Sequence, residues 1–571
     1  MFISCRVDDV RWERVNLHLT VTASLVPEQA QPSRWAGVEF AVADDEAALE
    51  RLTFTLETRT ASFPLEVVGR TADGAYHLRV NVTNVADRHE IPDGTWRIRP
   101  WLDGMICPSC TFDPAQAHRL PAMSKTFPYY GGRYAYMVHA DLSEHLVHPL
   151  FRLKVRNYAR PPKWRALRGG PASRLAKWTF DRGVLQWFFQ VMYRLFRAVR
   201  PRWGRQRILL AAQLRTDIRD NMLVLKRRLI ERGMDQEFRI DESVHWKYRN
   251  LFHSLWQWIV LSRKFAWADY VFLDDWCSLM SYTRLDPATV VTQLWHAGHG
   301  VKAVGLARFG MHGSPRLDNP HRRYTYGIVG STGLQEIYAE DFGMEKENLL
   351  PTGVLRIDEL LDPARIEAAR TQFAATYPEL AAKRVVLFAP TFRGRGSSTA
   401  SYDFSLLDFE ALHAWCGEDT VVLFRMHPYV TRKLTDADGT YRGFIPEGLT
   451  DRLVDASGYP STNDLLHVTD VLVTDYSSIC YEFSYLDRPM IFFAPDEVAY
   501  SVSRGFHDGF RDVVPGKTVA TFDELLRALD AGDYETWRRD RYREQFCGPA
   551  DTHNADRAID AVIYGKRPVA S

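Results

Sequence analysis

Along the first 140 residues, apolar and polar positions alternate with period 2, the mark of strands with one buried face. Val15-Asn-Leu-His-Leu-Thr-Val-Thr, Leu52-Thr-Phe-Thr-Leu and Tyr76-His-Leu-Arg-Val-Asn-Val all follow it, with turn signals at Ala72-Asp-Gly and Pro92-Asp-Gly between them. Short strands at this spacing predict a small antiparallel β-sandwich over residues 1–140. Nothing in it reads as catalytic.

From Arg207 the pattern changes. Ile208-Leu-Leu-Ala-Ala, Tyr270-Val-Phe-Leu, Val290-Val-Thr-Gln-Leu-Trp and Tyr326-Gly-Ile-Val are short, continuous apolar runs separated by helical stretches such as Asn221–Arg232. A second series starts at Arg384-Val-Val-Leu-Phe-Ala and continues through Thr420-Val-Val-Leu-Phe-Arg, Val471-Leu-Val and Met490-Ile-Phe-Phe. The stretch Asp362–Leu380, helical by period, joins the two. Strands apolar on both faces, alternating with helices, predict mostly parallel sheets covered on both sides. The expected fold is therefore α/β, with two doubly wound Rossmann-type domains, 206–352 and 353–571, facing one cleft.

Residues 141–205 stand apart by charge. Between Phe151 and Arg207 there are 16 Lys or Arg and one acid, Asp181, although the whole chain carries a net charge of only +1. Pro161-Pro162 and Gly169-Gly170-Pro171 break the segment early. Further on, Leu185, Phe188, Phe189, Met192, Leu195, Phe196 and Val199 fall on one broad helical face, with Arg194, Arg197 and Arg200 at its flank. Aromatics beside arginine compose a basic amphipathic helix that lies on an anionic membrane surface. A plainer reading is an interdomain helix whose aromatics fill a core. No motif supports nucleic acid as partner.

A chain of 571 residues with 46% hydrophobic and 25% charged positions is ordinary globular material. Its start, MFISCRVDDVRWERV, meets acids and arginines at once, unlike a signal peptide. No run of 18 uncharged apolar residues is present to span a bilayer. Seven scattered cysteines fit a reducing cytoplasm. Cys107-Pro-Ser-Cys110 is a lone CxxC and reads as a turn rather than half a zinc site.

Candidate chemistry collects where apolar strands end. Val471-Leu-Val runs into Thr474-Asp-Tyr-Ser-Ser478, a helical pattern follows, and Arg488-Pro489 stops it before Met490–Phe493. Ligands of open α/β sheets sit at the carboxyl ends of strands, and a helix N-terminus with two hydroxyls suits phosphate. One such residue would be ordinary N-capping; five polar residues in a row point to a site. Four more clusters share the position. They are Gln293–Leu306, with His296, His299 and Lys302; Gly353–Asp358, with Arg356; Phe388–Gly394, with Thr391 and Arg393; and Phe424–Pro428, with Arg425 and His427. His296 and His299 lack an acid at ligand spacing and are not read as a metal pair. Arginine forks bind phosphate bidentately, and transfer at phosphorus needs mainly positioning and charge stabilisation.

Six segments then resemble one family. WHAGHGVKAVGL (295–306), GVLRIDEL (353–360), FAPTFRG (388–394), FRMHP (424–428), DVLVTDYSSICYEF (470–483) and SRGFHDGFRDVVPG (503–516) are similar, in order and spacing, to segments of the CDP-glycerol glycerophosphotransferases of teichoic-acid and capsule synthesis. The resemblance covers about residues 205–565 and leaves out the sandwich. The Trp-His-Ala…Lys…Gly-Leu variant is more like the linkage-unit and ribitol-type branch than the Trp-His-Gly-Thr-Pro branch.

The resemblance implies a GT-B-like pair of domains that moves glycerol phosphate or ribitol phosphate from a CDP-activated donor to a hydroxyl of a lipid-linked or growing polymer. CMP would leave, with no cofactor or metal. By position, His296 matches the family's general base near the acceptor, and His427 the histidine on the donor pyrophosphate. Arg425, Ser477 and Ser478 match donor-phosphate contacts, Glu482 an acidic donor contact, and Arg393 and Arg356 further ones. Thr391, Asp475 and Lys302 complete the expected CDP-polyol set. The implied location is cytoplasmic, peripheral on the inner face of the membrane through 151–207. Rival classes are a GT-B glycosyltransferase using a nucleotide sugar and a non-catalytic membrane-surface binding protein.

Overall fold

The computed structural model describes the chain except residues 28–39, 44, 86–87, 144–148, 160–169, 172–173, 176–177, 180–182, 202–203, 213–215, 245–250, 297, 299, 312–313, 395–398, 433, 435–442 and 567–571; for 251–254, 503 and 504 it describes the backbone alone. Pro161-Pro162, His299 and the basic positions 160, 163, 165, 168, 177, 182 and 202 thus lie outside the described residues. The chain forms two compact units. One comprises Met1–Gln186 with the later segments Val304–Arg322 and Ala339–Glu345; the other comprises Trp187–Ala303, Arg323–Tyr338 and Lys346–Ser571.

In the first unit ten strands join in a single hydrogen-bonded path, and an eleventh, Met105–Ile106, pairs off it with Gly94–Leu102. Strand Ser62–Arg70 is shared within it. Residues 62–65 pair with Leu52–Glu57 and residues 66–70 with Tyr76–Asn81, the latter pairing carrying a register slip between Val67 and Gly69. Residues from both halves of the path, among them Leu17, Leu19, Leu78, Phe54, Ile98, Tyr136 and Leu153, close on one core.

Two sequence boundaries move. The β region does not stop at 140, because Phe151–Ala159 pairs with Tyr134–Leu142 and with Gly94–Leu102. Phe151, Leu153 and Val155 are buried, while Arg152 turns outward to Asp141 at 2.6 Å. The first basic residues of the supposed linker are therefore the polar face of a strand. Likewise Val304–Arg322, expected in an α/β domain, belongs to the β unit. Phe309 lies 5.5 Å from the Phe127 ring and 5.0 Å from Tyr129.

The second unit holds two six-stranded sheets, parallel at every pairing. The first runs 239–244, 207–212, 270–273, 290–293, 326–328, 349–350; the second runs 453–455, 420–424, 384–388, 471–474, 490–493, 517–519. Central strands such as Thr420–Phe424 and Val471–Thr474 are buried along their whole length, which explains their unbroken apolar runs. The last helix, Asn554–Ile563, does not stay with the second sheet as the 353–571 boundary implies. Its Ala555, Ala558, Ile559 and Val562 share a core with Met222, Leu225 and Leu229 beside the first sheet. Asp358 caps it, accepting from the amides of Asn554 and Ala555 at 2.9 and 2.8 Å.

The helix Val184–Ala198 forms as its periodicity predicts, but part of its aromatic face is inside the unit. Phe189 and Tyr193 are buried, Phe189 against Trp258 and Tyr282, and Arg197 pairs with Asp286 at 3.2 Å.

Candidate active site

Strands of both sheets end at one cavity of about 690 Å³ in the second unit. His296 reaches it after strand Val290–Gln293 and Arg356 after Leu349–Leu350. Arg425 and His427 follow Thr420–Phe424, and Ser477, Ser478 and Glu482 follow Val471–Thr474. Seven of the predicted site residues thus converge; Thr391, Arg393, Asp475 and Lys302 are not among the lining residues.

His296 sits on a constrained turn. Trp295 before it has φ +54°, a left-handed conformation that a large side chain adopts only when its surroundings enforce it. Asn221, fully buried, enforces it by donating to the Trp295 carbonyl at 2.6 Å. The imidazole packs on the Trp295 ring at 4.5 Å, and its Nδ1 faces Oδ1 of buried Asp275 at 3.3 Å, which leaves Nε2 for the cavity. Glycine follows at 298 because a Cβ there would stand 2.6 Å from the Tyr481 ring.

Arg356 and Glu482 meet each other rather than standing free as two donor contacts. Arg356 Nε donates to Glu482 Oε1 at 2.7 Å, Nη2 donates to the same oxygen, and Nη1 donates to the His296 carbonyl at 2.8 Å. Burial opposes the charge on Arg356, but Glu482 outweighs it and the guanidinium is held more firmly protonated than usual. The pair therefore ties the serine helix, Ile479–Ser484, to the turn that carries His296.

His427 caps the turn Pro428–Thr431, its Nδ1 accepting from the Tyr429 amide at 3.1 Å, so the proton of the neutral ring is on Nε2. Burial first, and Arg432 second, lower its pKa below the ordinary 6.5. An unfolded chain therefore takes up this proton before the folded one as pH falls. The stability contribution is intact above 6.5 and is lost as pH falls from there through the lowered value of the folded state. From about pH 7.5 to about pH 5.5 the melting midpoint should fall more for the wild type than for His427→Gln; equal slopes would contradict this environment for His427.

Arg425 is held by its own loop. It donates from Nη1 to the carbonyls of Ala456, Ser457 and Tyr459 at 3.0, 2.6 and 2.8 Å, and from Nε to Thr462 Oγ1 at 3.1 Å. It shapes this wall of the cavity as much as it charges it. Ser477 Oγ accepts from the Ile479 amide at 3.4 Å, and Ser478 makes no side-chain cap bond.

The remaining four predicted residues build a separate cluster. Arg393 donates to Asp475 Oδ2 at 2.8 Å and grips Asp496 through Nε and Nη2 at 2.6 and 2.8 Å. Asp475 also accepts from the Thr391 amide at 2.7 Å. Lys302 lies over the Tyr500 ring at 5.6 Å, and its backbone bridges to Phe506. Arg393 thus stands between two carboxylates, away from the cavity lining.

Asp275 and Asn221 were not singled out in the sequence. Asp274-Asp275 ends the strand Tyr270–Leu273 and looks there like any acidic turn; only the fold brings it under His296. The cavity therefore presents one carboxylate-backed imidazole from the first sheet, and an N–H-donating imidazole with two hydroxyls from the second.

Comparison with known proteins shows the family. A model of the family CDP-glycerol:poly(glycerophosphate) glycerophosphotransferase matches residues 191–564. The chain is 40% identical over 294 residues to the teichoic acid ribitol-phosphate polymerase TarK of Staphylococcus aureus, covering 51% of this chain and 56% of that one. It is 32% identical over 379 residues to the teichoic acid poly(ribitol-phosphate) polymerase of Bacillus spizizenii, covering 66% and 59%. The chain thus spans about half the length of the curated relatives it matches. A solved structure of the wall teichoic acid polymerase TagF superposes with a TM-score of 0.51 at 18% identity, over 70% of this chain and 98% of that one, and so shares its fold. Since the matched span takes in both parallel sheets and every residue of the cavity, the chain belongs to the CDP-glycerol:poly(glycerophosphate) glycerophosphotransferase family.

Proposed function

We propose that the protein transfers a polyol phosphate from a CDP-activated donor to a hydroxyl of a lipid-linked or growing cell-wall polymer. The observation that carries this reading is the placement of His296 and His427 on one cavity at the strand ends of two parallel sheets; we read the pair of sheets as GT-B-like. The acceptor hydroxyl gives its proton to His296 Nε2 while its oxygen attacks the distal phosphorus. The new P–O bond forms, the bond to the bridging oxygen breaks, and CMP leaves with that electron pair. His427 Nε2–H and the hydroxyls of Ser477 and Ser478 donate to the diphosphate oxygens. Such preorganised donors stabilise the charge that develops on transfer. The identities with ribitol-phosphate polymerases favour ribitol over glycerol as the polyol. Incubation with CDP-ribitol, CDP-glycerol and UDP-sugars tests the donor class. Nucleotide release from a CDP-polyol alone is expected; release only from a UDP-sugar would replace the reading with sugar transfer.

We place the protein peripherally on the inner face of the membrane. Among the described residues no helix is long and apolar enough to cross a bilayer. On Val184–Ala198 Trp187 is 68% exposed and Arg194 is exposed, and on the neighbouring helix Leu251–Trp267 Trp256 is 59% exposed. Helices that expose indole rings and arginine suit the headgroup region of anionic lipid. Phe189 and Tyr193 are buried, so point variants test this better than deletion. Trp187→Ser with Trp256→Ser should weaken cosedimentation with phosphatidylglycerol vesicles by about tenfold. Unchanged cosedimentation would remove the membrane assignment.

A further inference from the structure

We infer that Asp275 is the positioning residue that turns His296 into a base, by holding its Nδ1 side so that Nε2 alone faces the acceptor. This rests on His296 being the base in the proposed transfer. Three observations carry it. First, Asp275 Oδ1 stands 3.3 Å from His296 Nδ1, with the carboxylate 5% exposed and the imidazole 43% exposed. A buried carboxylate behind a half-exposed imidazole fixes the ring's tautomer and stabilises the imidazolium once the proton arrives. Second, the backbone that carries the carboxylate is itself fixed. Gln293 Nε2 donates to the Asp275 carbonyl at 3.3 Å and to Tyr324 Oη at 3.0 Å, and Gln293 Oε1 accepts from the Trp295 amide at 3.1 Å. One buried glutamine thereby spans the two loops that carry the carboxylate and the imidazole. Third, the strained Trp295 turn is held from the other side by Asn221, whose amide also donates to Asp274 Oδ1 at 3.4 Å and whose Oδ1 accepts from the Arg356 amide at 3.0 Å. Backbone strain at φ +54° persists only where the surroundings over-determine it. Here those surroundings set the distance between one carboxylate and one imidazole.

The test uses the full chain and two readouts. Asp275→Asn keeps the volume but removes the charge, and its amide nitrogen can point at Nδ1. It should lower kcat for CMP release by about a hundredfold or more, with KM for the CDP-polyol within about threefold and the melting midpoint unchanged. Asp275→Glu, which restores a carboxylate, should recover part of kcat. Independently of any substrate, carbethoxylation of His296 by diethyl pyrocarbonate, read by peptide mass spectrometry, should slow in Asp275→Asn while exposed His553 reacts as before. Wild-type kcat, a joint loss of kcat, KM and melting midpoint, or unchanged His296 labelling would each overturn the assignment. If the wild type itself released no CMP, the transfer reading would fall, and the labelling result would still decide whether Asp275 orients His296.

Discussion

His296→Ala should reduce CMP release from a CDP-polyol by a hundredfold or more, with the fold intact. A hydroxyl is a poor nucleophile until its proton is taken, and a positioned imidazole contributes about 10²–10⁴ to such a step. His296 is the cavity imidazole with a carboxylate behind its far nitrogen. Its ring is 43% exposed, so truncation opens no sealed void and should leave the melting midpoint within a degree or so. The loss should fall on kcat rather than on donor KM, because no donor contact is assigned to this ring. Steady-state kinetics on the purified variant check it. Turnover within threefold of wild type in a folded variant would mean that the base lies elsewhere.

Glu482→Ala should be the most destabilising single change in the site. It leaves the Arg356 guanidinium, whose side chain is 10% exposed, without its carboxylate. Breaking a buried pair by removing one partner costs about 3–5 kcal/mol, since the remaining charge is stranded away from water. The midpoint of unfolding should drop by roughly five degrees. Turnover should fall as well, because Arg356 Nη1 also holds the His296 carbonyl. Replacing both partners together, as Arg356→Met with Glu482→Leu, should restore much of the stability without the activity. A melting curve for Glu482→Ala that overlays the wild type would show that the pair is not the tie between the two sides of the cavity.

Much of this is legible in the sequence alone. The parallel sheets announce themselves because strands covered on both faces must be apolar throughout, as Val421–Phe424 and Val471–Val473 are. The polar clusters were legible as strand ends, and His296, His427, Arg425, Ser477, Ser478, Arg356 and Glu482 do meet. What stayed hidden depends on pairings distant in sequence. Arg356 and Glu482 look like two ligand contacts until the fold places them 2.7 Å apart. Arg393 looks like a phosphate fork until Asp475 and Asp496 close on it. Asp275 is an unremarkable acid at a strand end until the next strand delivers His296 beside it. The basic segment misled for a local reason. Its charge density obscured the period-2 burial of Phe151, Leu153 and Val155, which makes the first part of it a strand. Val304–Arg322 could not be assigned to the β unit from sequence, because what seats it there is distant in the chain: Phe309 lies among Phe127, Tyr129 and Tyr136, Leu317 joins the same core, and Arg322 donates to the Thr83 carbonyl at 2.5 Å.

Which bond breaks in the donor separates phosphate transfer from every rival. The purified chain, given CDP-ribitol or CDP-glycerol and a lipid-linked acceptor analogue, can be followed by phosphorus NMR with mass spectrometry of the nucleotide and the acceptor. The account predicts CMP as the sole nucleotide product, a new phosphodiester resonance, and an acceptor heavier by one polyol phosphate per CMP released. Release of CDP with an acceptor heavier by the polyol alone would mean cleavage at carbon rather than phosphorus, and would contradict it.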